Sequence, residues 1–88
     1  MIEQTATIVN PLGLHARPAA QLVRLANTFG SEIQLVKDGV PVNGKSIMGV
    51  MILAAECGST VTVRAEGADE EAAVAALVDL LRSGFGET

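Results

Sequence analysis

The chain has 88 residues, 49% of them apolar, and a net charge of −4. That length allows one core, read as a single domain over residues 1–88, and the acidic balance with Phe29 and Phe85 as the sole aromatics excludes nucleic acid as a partner, which needs a basic surface and stacking rings. A single cysteine, Cys57, excludes an internal disulfide, and the absence of a leader pattern or of an apolar stretch near the ~20 residues of a membrane span predicts a cytoplasmic chain that does not insert into membranes.

Residues 2–9 alternate, with Ile2, Ala6 and Ile8 on one side and Glu3, Thr5 and Thr7 on the other, the pattern of a strand with one wet face. Asn10-Pro11-Leu12-Gly13 stops it. From Ala16 to Thr28, Ala19, Leu22, Val23 and Ala26 recur at helical spacing, which predicts an amphipathic helix closed by Phe29 and Gly30. Residues 32–37 alternate again with Ile33 and Leu35 inward, Asp38-Gly39 is a hairpin turn, and Val40-Pro41-Val42 returns as a short strand whose proline predicts a sheet edge. Ser46 is a suitable N-cap for a second helix running from Ile47 to about Ala55. Cys57, beyond it, is expected to be a small, semi-buried side chain. A fourth strand spans Thr60 to Glu66, with Val61, Val63 and Ala65 inward. Asp69, Glu70 and Glu71 then cap and charge the start of a last helix whose buried stripe is Val74, Leu77, Val78 and Leu81, and Gly84 ends it. The order βαββαβα predicts an α+β fold, an open-faced β-sandwich in which a four-stranded antiparallel sheet is covered on one side by three helices. Strand order stays open.

The segment richest in chemistry is Gly13-Leu14-His15-Ala16-Arg17-Pro18-Ala19-Ala20. Proline fits only the first turn of a helix, so the helix begins at about Ala16 and His15 is its N-cap. Free backbone N–H groups and the positive end of the helix dipole converge there, which suits an anion or a phosphate, and Arg17 adds a cation. The neutral imidazole is the nucleophilic form, and cationic surroundings favour it. Spacing alone does not separate this reading from a plain cap or loop histidine.

The same segment resembles the active-site motif of HPr, the histidine phosphocarrier family of the bacterial phosphoenolpyruvate-dependent sugar phosphotransferase system, and the resemblance runs along nearly the whole chain. It implies an open-faced β-sandwich and a stoichiometric carrier, not a classical enzyme. In this reading His15 is phosphorylated at Nδ1 with help from Arg17, the phosphoryl group comes from a phosphoenolpyruvate-dependent first enzyme, and it goes on to sugar-specific transport proteins. No cofactor or metal is implied, and a monomer is expected. Residue chemistry itself does not distinguish the two ring nitrogens.

Gly39-Val40-Pro41-Val42-Asn43-Gly44-Lys45-Ser46 satisfies the nucleotide-binding pattern G-x-x-x-x-G-K-[ST]. Pro41 removes one of the N–H groups such a loop needs, and Val40 and Val42 favour extended backbone, so the match is read as coincidental. Ser46 is explained as a helix cap, and the resemblance adds to it a regulatory phosphorylation, with a serine kinase and phosphorylase and a transcriptional regulator as further partners. The second helix is apolar nearly all round: Val50 and Leu53 share one side, and Ile47, Met48 and Met51 another. Such a patch is expected to dock partner proteins, with Ala16, Ala20 and Arg24 of the first helix beside it. The N-termini of these two helices are expected on one face. Competing readings are a regulatory adaptor acting mainly through phospho-Ser46, a nitrogen-branch phosphocarrier and a ligand-binding βαββαβ module. A metalloenzyme or a triad hydrolase is excluded by one histidine, one cysteine and no clustered acids.

Overall fold

The structure is a computed structural model and describes residues 1–86. The alternating segments form strands β1 (Ile2–Thr7), β2 (Glu32–Lys37), β3 (Val40–Asn43) and β4 (Thr60–Glu66), and the amphipathic segments form helices α1 (Ala16–Ala26), α2 (Ile47–Leu53) and α3 (Glu70–Arg82). A short 3-10 turn, Gly84–Gly86, follows α3. The expected βαββαβα order is the one observed, and the strands pair antiparallel in the sheet order β1-β4-β2-β3.

Register explains the sidedness. Ala6 faces Val61, Val63 faces Leu35 and Leu35 faces Val42, so one face of the sheet is dry. Leu22 of α1, Val50 of α2 and Leu77 of α3 join these strand residues in a single core, which is why all three helices cover that face. The other face carries Glu3, Arg64, Gln34 and Asn43 in register, and Arg64 Nε meets Glu3 Oε2 at 2.7 Å. β3 is the edge strand that Pro41 predicts, since an edge position does not require the missing N–H.

Element ends differ from expectation where local bonds or backbone turns replace the regular pattern. β1 stops at Thr7 rather than Val9, because Ile8 pairs with the loop before β4, through Ile8 N to Ser59 O at 2.8 Å and Gly58 N to Ile8 O at 2.7 Å. α1 stops at Ala26, where Asn27 Nδ2 and Thr28 Oγ1 donate to the carbonyls of Val23 and Leu25. α2 stops at Leu53 because Ala54 turns left-handed, with φ of 51°. Asp69 occupies the N-cap of α3, but its carboxylate does not cap that helix. It accepts instead from the backbone N–H groups of Gly30 and Ser31 and from the Ser31 hydroxyl. These bonds, with the Ser31 hydroxyl foremost, hold the Asp69 carboxyl below the usual carboxylate range.

Candidate functional site

His15 is the N-cap of α1, in extended backbone with φ of −75° and ψ of −172°. Its carbonyl starts the helix by accepting from Ala19 N at 2.9 Å. The imidazole does not cap its own helix, and His15 is half-buried. Pro18, the third helical residue, has no N–H to offer, so the donors left over at the helix mouth are the backbone N–H groups of Ala16 and Arg17. The Arg17 side chain is exposed. An anion held at this helix mouth would meet the two amides and the positive end of the helix dipole, with the exposed Arg17 two residues from His15 in the chain.

The loop carrying His15 is fastened from outside the helix. Leu14 is buried, and its N–H donates to Ala55 O at 2.9 Å. Gly13 has φ of +66°, and a Cβ built there would run into the Ala55 carbonyl oxygen, so a side chain at this position would separate the loop from the end of α2. Next to His15 the surface forms a depression of about 550 Å³ lined by Pro11, Leu12, Leu14, Ala54, Ala55, Glu56 and Cys57. Cys57 is exposed, contrary to the expectation of a semi-buried thiol, because it rides the loop that pairs with Ile8 and not the core side of a strand.

The head of α1 abuts the tail of α2 through Leu14 and Ala55, while at the other end Asn27 Nδ2 reaches Lys45 O at 3.3 Å. The two helices therefore run antiparallel. Their N-termini lie at opposite ends of the pair, separated by the length of α2, about 10 Å at 1.5 Å per residue. The apolar patch lies along α2: Ile47, Met48 and Met51 are exposed as expected. Ile52, 71% exposed, extends the patch and was legible at four residues from Met48, on the same face. Ala16 and Arg24 are exposed and Ala20 is half-buried, a stripe of α1 at spacing four.

Ser46 accepts from Gly49 N at 3.2 Å as the N-cap of α2. The preceding loop holds no phosphate cradle. Val40–Asn43 is paired with β2, Gly44 N donates to Ile33 O, Lys45 N donates to Asn43 Oδ1, and Lys45 Nζ is drawn to Phe29 O at 2.7 Å. Among the described residues no group of three or more His, Cys, Asp or Glu side chains could hold a metal ion, and no helix is long and apolar enough to cross a membrane.

A family profile described as the PTS HPr component phosphorylation site matches residues 2–83. The phosphocarrier protein HPr of Cupriavidus necator is 49% identical over 87 residues, covering 99% of this chain and 98% of that protein. The HPr-like protein Crh of Halalkalibacterium halodurans is 51% identical over 78 residues, covering 89% of this chain and 93% of that protein. The crystal structure of HPr-C-His from Thermoanaerobacter tengcongensis superposes with a TM-score of 0.96 at 53% identity, covering 100% of this chain and 99% of that one.

Proposed function

This chain belongs to the HPr family, the phosphocarriers of the phosphotransferase system, and from that premise we propose that it relays a phosphoryl group through His15, from a phosphoenolpyruvate-dependent first enzyme to sugar-specific transport proteins. The observation that carries the proposal is His15, half-buried at the N-cap of α1, next in the chain to the left-over amides of Ala16 and Arg17 and to the exposed Arg17 side chain. A neutral ring nitrogen attacks phosphorus on the phosphorylated first enzyme. The N–P bond forms as the donor's bond to phosphorus breaks, and its electron pair stays with the donor. The amides and Arg17 stabilise charge on the phosphoryl oxygens in both directions of transfer. The acceptor's nucleophile then attacks from the open side, and the electron pair returns to His15. Partners dock on Ile47, Met48 and Met51, with Ala16, Ala20 and Arg24 at the margin, and phosphorylation of Ser46 regulates that docking.

Incubation with phosphoenolpyruvate and a first enzyme, followed by mass spectrometry, tests the reading. One acid-labile phosphate that His15→Ala abolishes is the expected result, and a phosphate that persists in His15→Ala contradicts it. Arg17→Ala is expected to slow transfer while leaving the unfolding midpoint nearly unchanged. Unaltered rates in both directions would remove Arg17 from the mechanism.

A further inference from the structure

Asn10 and Ser31 are the buried polar or charged residues among those described, and Asn10 is 1% exposed. An amide is costly to bury unless its hydrogen bonds are made. Asn10 lies five residues before His15, outside α1. Its Nδ2 donates to Gly13 O at 2.6 Å, and its own backbone carbonyl accepts from Gly13 N at 3.1 Å. Gly13 O belongs to the Gly13–Leu14 peptide, whose N–H donates to Ala55 O at 2.9 Å. One peptide plane is thus gripped at both polar ends, by Asn10 on one side and by the end of α2 on the other. Gly13 takes a left-handed φ of +66° so close to the end of α2 that an added Cβ would collide with the Ala55 carbonyl oxygen. Leu14, buried in the core, passes this fixed direction to His15.

We infer that Asn10 is a positioning residue for phosphoryl transfer: by holding the Gly13–Leu14 peptide plane it keeps the His15 imidazole aligned with the amides of Ala16 and Arg17. This rests on His15 being the phosphoacceptor. Asn10 is buried and lies outside both α1 and α2, so its loss is expected to fall on the transfer step and not on partner binding. A misplacement on the order of 1 Å costs up to about a hundredfold in rate.

The test compares wild type with Asn10→Ala and with Ser31→Ala, which removes the other buried polar side chain at a site remote from the loop. Two quantities are read: transfer kinetics with the first enzyme, and the NMR signals of the His15 backbone amide and ring without any phosphate. Asn10→Ala is expected to lower kcat roughly ten- to a hundredfold with KM nearly unchanged, and to shift or broaden the His15 signals. Ser31→Ala is expected to lower the unfolding midpoint while leaving kcat and the His15 signals at wild type. If Asn10→Ala does not fold at the assay temperature, Asn10→Ser, whose hydroxyl falls short of the Gly13 carbonyl, is read in the same way. Wild-type kcat and unshifted His15 signals in the Asn10 variant overturn the inference, as does an equal kinetic loss in Ser31→Ala. If wild type takes no phosphate on His15, the carrier reading fails, and the NMR comparison still decides whether Asn10 orients the ring.

Discussion

Replacing Gly13 by alanine tests how the site is built. The left-handed backbone at φ of +66° costs an alanine about 1–2 kcal/mol, partly offset by the roughly 0.4–1 kcal/mol that a less flexible unfolded chain contributes. The new Cβ meets the carbonyl oxygen of Ala55 and lies 3.0 Å from Glu56 Cα, both backbone atoms that no side-chain rotation can move aside. Relief requires the loop to draw back, which breaks the bond from Leu14 N to Ala55 O and strands buried backbone groups at about 1–3 kcal/mol. The net loss is about 3 kcal/mol, or roughly 12–24 °C in Tm for a domain of this size. Urea unfolding of Gly13→Ala beside Gly39→Ala provides the assay, because Gly39 has a similar φ of +78° but open space around its Cβ position. Gly39→Ala is expected to lose only about 1 kcal/mol. Equal losses in the two variants would refute the claim that Gly13 is required by the close approach of the His15 loop to the end of α2.

Other perturbations follow from single residues. Ser46→Ala removes the cap on Gly49 N and is expected to cost ~1 kcal/mol, whereas Ser46→Asp keeps an acceptor there and should unfold close to wild type. Because Ser46 lies a helix length from His15, Ser46→Asp is expected to slow phosphorylation through a higher KM that salt partly restores, and a wild-type KM would contradict regulated docking. Ala54→Gly relieves a left-handed φ of 51° and is expected to raise stability by about 0.5–1 kcal/mol, read from the urea midpoint; a lower midpoint would contradict it. Asp69 has its pKa lowered on folding, so its contribution is present above its unfolded pKa of ~3.9 and fades as pH falls through the lower folded value. The Tm advantage of wild type over Asp69→Asn should therefore shrink below about pH 4, and parallel curves would contradict this.

Much of the fold was legible because its elements are locally consistent. The alternation in 32–37 and 60–66 gave both strands with the observed bounds, and Pro18 placed the start of α1 at about Ala16, where the helix begins. Strand order was not legible, since pairing between β1 and β4 joins segments more than fifty residues apart and several orders bury the same stripes. Asp69 misled for a physical reason: an acid before a helix reads as a cap, yet its carboxylate is taken by the Gly30 and Ser31 amides from a distant part of the chain. The N-cap position of His15 and the exposed patch of α2 could be read from types and spacing, whereas a carrier role for His15 and Arg17 could be read only from the resemblance to HPr. The clamp on the Gly13–Leu14 peptide could not, because half of it is a carbonyl of Ala55, and a backbone carbonyl leaves no mark in a sequence.

Relay of a phosphoryl group is acceptance followed by donation. It is tested most directly by loading the protein with radiolabelled phosphate from phosphoenolpyruvate and the first enzyme, removing the donor, and adding the acceptor domain of a sugar transport protein in stoichiometric amount. The label is expected to leave His15 in a single turnover and appear on the acceptor, with little inorganic phosphate. Label that stays on the chain, or is released as inorganic phosphate at the rate at which it leaves His15, would contradict a carrier.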